Sequence, residues 1–448
     1  MTGLSSRPSV WTPARVLVLG FAAVIFVGGV LLSLPVSSQS GRGLDFLDAL
    51  FTATSAVCVT GLVVVDTGTY FSHFGQVVIL LLIQIGGLGF MTVATFLLIM
   101  SRHRIGLKER LVIQESLNVA TLSGLVKFSR NVVLMTLTVE GIGALILAVR
   151  WSFDMLWWRA LYFGLFHGVS AFCNAGFDLF GDFRSLSGYA EDPVVNLTIM
   201  ALITLGGLGF TVIVDLMKRR RSRRLSLHTK LVVITSLGLL LVGAAAFLAL
   251  EWDRPQTFGP LDWRGKILSA LFLSVTSRTA GYTTVDISQL STPSLFLDIV
   301  LMFIGASPGS TGGGIKTVTF AAIVLFTWSV ITDKENVVLY GRTISTKTIY
   351  KSLSIAIMSI MLIATWTFIL TLMEPVNFIR LLYETTSAFG TVGLSTNLTP
   401  ELSPPGRFMI LLMMYIGRVG PLTLGLALAQ RGRKKAILRY PEENLFVG

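Results

Sequence analysis

Apolar and polar residues alternate along this chain in long blocks, not in short periods. "VLVLGFAAVIFVGGVLLSL" (16–34), "VVILLLIQIGGLGFMTVATFLLIM" (77–100) and "LVVITSLGLLLVGAAAFLAL" (231–250) run without a charge. Each is long enough to cross a bilayer, which takes about 20 helical residues, and about eight such spans fit the sequence. Apolar segments of about a dozen residues are left over, the length of re-entrant or buried helices. The first block is longer than the roughly 7–15 residues of a signal-peptide core and no small-residue cleavage site follows, so it reads as the first span.

Composition agrees with the pattern. Hydrophobic residues make up 53% and charged residues 13% of the 448, against about 25% charged in a soluble domain. Mean hydropathy is +0.74. The formal charge of +12 raises nucleic acid as a partner, but its placement argues otherwise. Basic residues cluster in "SRHRIGLKER", "KRRRSRRLSLHTK", "GRTISTK" and "RGRKKAILRY", that is, in every second gap between spans. That is the positive-inside pattern, and it puts both termini and these segments in the cytoplasm. No nucleic-acid partner is expected; anionic lipid headgroups or an acidic protein surface fit the basic segments. Two cysteines, Cys58 and Cys173, make no disulfide framework, and with four histidines no metal-ligand spacing appears.

The short apolar segments are copies of one unit. "ALFTATSAVCVTGLVVVD", "GLFHGVSAFCNAGFDLFG", "ALFLSVTSRTAGYTTVD" and "LLYETTSAFGTVGLSTN" each run into a small or polar stretch and a glycine: Gly61, Gly176, Gly281 and Gly393. The glycines are 115, 105 and 112 residues apart, dividing the chain into quarters at 1–110, 111–224, 225–335 and 336–448. Each quarter orders a span, an outward turn, a short helix, the glycine-ended loop and a second span. The expected fold is therefore an all-α membrane protein of four span–re-entrant pore loop–span repeats around a pseudo-fourfold central pore. Non-helical backbone survives at membrane depth only when buried in protein or lining a wet cavity. Rings of backbone carbonyls can replace the hydration shell of a bare cation. The candidate filter is Val57, Cys58, Val59, Thr60 and Gly61; Phe172, Cys173, Asn174, Ala175 and Gly176; Ser277, Arg278, Thr279, Ala280 and Gly281; and Phe389, Gly390, Thr391, Val392 and Gly393. Four glycine-containing packing motifs are the plain alternative; packing alone does not explain the recurrence of short helix, polar stretch and glycine.

"TSAVCVTGLVVVDT", "SAFCNAGFD", "SRTAGYTT" and "TTSAFGTVGLST" resemble the filter loops of the Trk/Ktr/HKT superfamily of potassium transporters. The resemblance covers nearly the whole chain. Its length, with no extra spans before the first unit, looks most like the membrane subunit of the bacterial Ktr system. The resemblance implies a channel-like monomer with its own pore, a homodimer in the plasma membrane, and control by a cytosolic ring of nucleotide-binding subunits. It also implies potassium as the transported ion, because a glycine stands at all four filter positions. No enzyme activity and no cofactor are expected, and no metal beyond the transported cation. Sodium-permeable or weakly selective transport is the nearest alternative. The potassium-binding subunit of an ATP-driven pump shares the architecture, but such subunits carry additional flanking spans.

Four further features stand out. In "LDIVLMFIGASPGSTGGGIKTVTF" the residues Gly305, Ala306, Ser307, Pro308, Gly309, Ser310, Thr311, Gly312, Gly313 and Gly314, followed by Lys316, interrupt the third quarter's second span. A kinked helix and a movable gating loop both fit; a phosphate-binding P-loop does not, because Ile315 separates the glycine from the lysine. The resemblance implies an intramembrane gating loop here. Arg418 stands where the first two quarters have Gly87 and Gly207. An arginine at that depth is costly, and reads as an electrostatic barrier, a latch on the loop, or a structural donor to loop carbonyls. Arg278 is expected to point behind the filter and pair with an acid or with loop carbonyls, Glu384 being the candidate filter-supporting partner. Glu140, in the apolar "LTVEGIGALIL", pairs with a basic residue or faces the cavity.

Overall fold

The computed structural model describes residues 13–89, 92, 125–218 and 225–429. The regular elements are helices, apart from a small hairpin of β1 (Val338–Leu339) and β2 (Arg342–Thr343). The first quarter contributes α1 (Pro13–Ser33), α2 (Phe46–Cys58), α3 (Thr67–Tyr70) and α4 (His73–Leu88). The second contributes α5 (Leu125–Trp151), α6 (Trp157–Phe172), α7 (Pro193–Leu208) and α8 (Phe210–Lys218). The third contributes α9 (Leu227–Glu251), α10 (Trp263–Thr276), α11 (Thr292–Phe303) and α12 (Thr317–Ile331). The fourth contributes α13 (Thr346–Met373), α14 (Phe378–Gly390), α15 (Pro404–Val419) and α16 (Pro421–Ala429).

Among the described residues four helices are long and apolar enough to cross a bilayer: α1, α5, α9 and α13. A fifth span counts if α7 and α8 are taken together, although they meet at 97°. The second helices α4, α7, α11 and α15 are shorter, at 16, 16, 12 and 16 residues, and the reason is local. Gly89, Gly209 and Gly420 follow α4, α7 and α15 with φ of +78°, +91° and +87° and extended ψ. Only glycine adopts that conformation without strain, so the helix stops there. In the third quarter α11 stops at Phe303, and the glycine-rich loop follows.

The second helices start alike. Ser72, Asp192, Ser291 and Ser403 cap α4, α7, α11 and α15, each side chain accepting a first-turn N–H. This satisfies donors that a helix start leaves open. In the last two quarters the cap is also held from the preceding span: Glu251 accepts from Ser291 N–H at 3.0 Å, and Glu374 from Ser403 N–H at 3.1 Å. In the second quarter Arg150 pairs with the cap Asp192 at 2.6 Å. Three of the four long spans, α5, α9 and α13, are therefore tied to the start of their partners at one end of the molecule.

The other ends approach closely through small residues. A methyl added to Gly86, Gly206 or Gly417 would overlap the carbonyl oxygen of Val57, Phe172 or Phe389, at or near the ends of α2, α6 and α14. The segments "SRHRIGLKER" and "RGRKKAILRY", and residues 219–224 of the second basic segment, lie outside the described residues.

Gly206→Ala is expected to cost about 1–3 kcal/mol, the range for overpacking a close contact. Gly207→Ala is expected to be tolerated, because the nearest atom to its added methyl is Asn174 Nδ2 at 3.5 Å. Thermal unfolding of the two purified variants checks the contrast.

Candidate functional site

Four short helices, α2, α6, α10 and α14, of 13, 16, 14 and 13 residues, deliver the four candidate filter stretches. All twenty residues named above are buried or half-buried. The backbone turns at the same place in every stretch. Val59, Asn174, Thr279 and Thr391, each two residues before the glycine, have φ of 58°, 60°, 72° and 48°. A non-glycine residue there is strained, and the same strain four times marks one local design. The N–H groups of Thr60, Ala175 and Val392 then bond back to carbonyls five residues earlier, at 2.8–2.9 Å. The third stretch departs: Ala280 N–H reaches the carbonyl of Thr276, four residues earlier, at 3.0 Å.

The four stretches meet one another in a cycle. A methyl on Gly61 would lie 2.5 Å from the carbonyl oxygen of Ala175. One on Gly176 would lie 2.8 Å from that of Ala280, and one on Gly281 2.9 Å from that of Val392. One on Gly393 would overlap the carbonyl oxygen of Thr60. First faces second, second third, third fourth, and fourth first. Side-chain oxygens are also left open in three of the stretches: Thr60 Oγ1, Asn174 Oδ1 and Thr391 Oγ1 are buried without a hydrogen-bond partner among the described residues. Buried oxygens of this kind normally have partners.

Serines hold the stretches from behind, a signal legible as the serine six residues before three of the glycines but passed over in reading the sequence. Ser55 and Ser387 hydroxyls accept from Gly61 and Gly393 N–H, at 3.0 and 3.2 Å. Ser170 donates to the Phe177 carbonyl at 2.8 Å. Glu384 accepts from Ser395 Oγ at 2.5 Å, Thr396 N–H at 3.0 Å and Thr399 Oγ1 at 2.9 Å, gathering the chain that follows the fourth stretch. The expected Arg278–Glu384 pair therefore does not form. Arg278 does run behind its stretch, but its guanidinium donates to the carbonyl and hydroxyl of Ser236 on α9, at 3.1 and 3.2 Å. Among the described residues Glu140 does not meet a basic residue. It accepts from Gln84 Nε2 at 3.1 Å and lies 3.6 Å from the Cys173 thiol. Both cysteines are buried and free.

The glycine-rich loop lies against the filter stretches on the side away from the glycines. Gly312 and Gly313 abut the hydroxyls of Thr279 and Thr391 with no room for a methyl. The loop is held by carbonyls that the broken second helices leave open. Ser307 and Thr311 N–H donate to Gly207 and Gly206 at 3.0 and 3.2 Å, and Phe210 N–H donates back to Gly309 at 2.9 Å. Arg418 donates to the carbonyls of Thr311 in the loop and Gly86 on α4. Lys316 Nζ donates to the Gly312 carbonyl at 2.6 Å.

The filter stretches and the loop separate two cavities. One of about 590 Å³ touches all four filter glycines and carries Asp66, Asp178, Asp182, Asp286 and Glu401. The other, of about 300 Å³, is lined by Gly87, Gly89, Gly312, Lys316, Lys351 and Arg418 among others. One is predominantly acidic and the other basic. Asp178, in the turn after the second stretch, has its carboxyl pushed up to about 7, chiefly by burial and also by the nearby Asp66; the Phe180 N–H, which donates to it at 3.0 Å, acts the other way.

Comparison with known proteins shows the family and the fold. The sequence profile of the family described as "TrkH: Cation transport protein" matches residues 20–435. The Ktr system potassium uptake protein B of Vibrio alginolyticus is 43% identical over 436 residues, 97% of this chain and 94% of that protein. The potassium/sodium uptake protein NtpJ of Enterococcus hirae is 36% identical over 442 residues, 98% of this chain and 97% of that protein. The crystal structure of the potassium transporter TrkH from Vibrio parahaemolyticus superposes with a TM-score of 0.74, covering 96% of this chain and 87% of that one at 16% identity.

Glu384→Ala removes the acceptor of three hydrogen bonds, at about 1 kcal/mol or more each. A loss of about 3 kcal/mol in thermal or denaturant unfolding is expected, and a smaller loss for Glu384→Gln, which keeps one oxygen.

Proposed function

The chain belongs to the TrkH cation transport protein family, and from that premise we propose that it is the membrane subunit of a Ktr-type potassium uptake system. In this reading the four stretches form a pseudo-fourfold filter, one from each of the four repeats. The observation that carries it is the closed cycle of glycine against neighbouring carbonyl, set between an acidic and a basic cavity. Backbone oxygens of Val57–Gly61 and its three counterparts, with the open side-chain oxygens of Thr60, Asn174 and Thr391, replace the water shell of potassium. The acidic cavity is the outer mouth and concentrates cations. No bond is made or broken in transport; potassium moves down its electrochemical gradient.

The loop from Gly305 to Gly314 is the gate. It packs against the filter with small side chains and few internal bonds, the profile of a low-stability element. Arg418 is both latch and barrier: its donors hold Thr311, and its charge repels a cation leaving the filter. Lys316 adds a second positive charge. Two copies form a homodimer in the plasma membrane, surrounded by lipid and with termini inside. A KtrA-like cytosolic ring of nucleotide-binding subunits pulls the loop open from below. The similarity to a potassium/sodium uptake protein favours weak selectivity as the second reading, and the irregular third stretch agrees with it.

Rubidium and sodium flux into liposomes holding the purified protein tests the proposal, with and without the cytosolic partner. Rubidium flux raised by the partner and exceeding sodium flux is expected; equal fluxes favour the second reading, and no flux of either ion overturns both. Arg418→Ala removes two hydrogen bonds from a charged donor, each worth about 1.5–3 kcal/mol, so basal rubidium flux is expected to rise about tenfold or more. Unchanged or lower flux in folded protein counts against the latch.

External pH gives a separate check. Below about 7 Asp178 takes up a proton and the outer mouth loses a negative charge. One unit charge near a water-filled mouth is worth roughly 0.5–1 kcal/mol to a cation, so uptake at low potassium is expected to fall about two- to fivefold from pH 8 to pH 6. Asp178→Asn is expected to flatten that profile at its low-pH level.

A further inference from the structure

The four quarters allow one junction of the ring to be compared with the other three. Each short helix packs against a second helix of the preceding quarter: α2 on α15, α6 on α4, α10 on α7 and α14 on α11. Seven residues after the caps of α4, α7 and α15 stand Ile79, Ile199 and Ile410, all fully buried. Ten residues before the first three filter glycines stand Phe51, Phe166 and Leu271. Three junctions thus use isoleucine on one side and phenylalanine or leucine on the other. At the junction of the third and fourth quarters the same two positions are Asp298 and Tyr383.

Both are fully buried, and Tyr383 O–H donates to Asp298 Oδ2 at 2.5 Å. The other carboxyl oxygen, Oδ1, has no hydrogen-bond partner among the described residues. Ser277 lies against this carboxyl, but its hydroxyl proton goes to the Leu273 carbonyl at 2.5 Å. A buried polar pair that is not fully satisfied is less favourable than apolar residues of similar volume. The chain uses the apolar solution three times, so packing does not require the polar one here.

The pair's position supplies the reason. Ser277 begins the third filter stretch, the irregular one, where Val275 stands in place of the serine found at 55, 170 and 387. Tyr383 directly precedes Glu384, which fastens the chain after the fourth stretch. A hydrogen bond away from water resists stretching and bending more than an apolar contact does. We propose that Asp298 and Tyr383 are positioning residues that fix the spacing of the third and fourth filter stretches and so set the preference for potassium over the smaller sodium ion. This rests on reading the ring as a potassium filter.

The test rewrites the odd junction in the residues of the others, as the double variant Asp298→Ile with Tyr383→Phe. Expected are a melting temperature equal to or above that of the parent, and a rubidium-to-sodium flux ratio in liposomes lower by about tenfold, the scale of one hydrogen bond to a charged group. Tyr383→Phe alone deletes one oxygen, is expected to lower the ratio in the same direction, and decides the matter should the double variant misfold. A folded variant of either kind with the parent's ratio overturns the proposal, whatever its total flux. Parent protein that carries no rubidium overturns the filter reading itself, and is recognised before any variant is measured.

Discussion

Backbone that leaves a helix where water is scarce must find its hydrogen bonds inside the chain. Nearly every feature of the site follows from that constraint. Three second helices stop at Gly89, Gly209 and Gly420, and stopping leaves some last-turn carbonyls short of amides. Those of Gly206 and Gly207 take up the amides of the glycine-rich loop, and that of Gly86, which the Gly89 N–H meets at 3.2 Å, also takes up Arg418. The loop and the breaks in the helices satisfy each other. The filter stretches meet the same demand by bonding back to their own short helices and by serine hydroxyls.

In the proposed reading, gate and filter are consequently not separate parts. Gly312 and Gly313 touch the hydroxyls of Thr279 and Thr391, which sit at the strained left-handed positions of two filter stretches. Withdrawing the loop uncovers those hydroxyls and frees the carbonyls of Gly206 and Gly207. If the loop is the gate, as proposed, opening requires water, or the transported ion, to enter as the loop leaves. Arg418 bridges loop and first quarter, so its release frees groups in two quarters at once.

Much of this was legible in the sequence because repetition was legible. The spacing of Gly61, Gly176, Gly281 and Gly393 placed the loops, and the run from Gly305 to Gly314 placed the interruption. Arg418 stood out because its counterparts are glycines. Helix breaks at Gly89, Gly209 and Gly420 were missed because a glycine in an apolar run reads equally as close packing, and only the sign of φ tells the two apart. The partners of Arg278 and Glu384 were missed for a different reason. Opposite charge pointed each at the other, whereas in a packed interior a nearby carbonyl or hydroxyl serves as well. Asp298 was hidden because its departure from isoleucine appears only once the helix caps fix the register.

The closed cycle of contacts has a consequence for how such a protein can change. In an assembly of four identical subunits every substitution enters the ring four times, so a small alteration is multiplied. Here one chain supplies all four sectors, and a substitution enters once. The aperture can be adjusted in steps of a quarter, with three sectors left as reference. Asymmetry of this kind gives each sector its own trade: in the proposed reading one carries the gate, another the latch, and a third a hydrogen bond its neighbours do without.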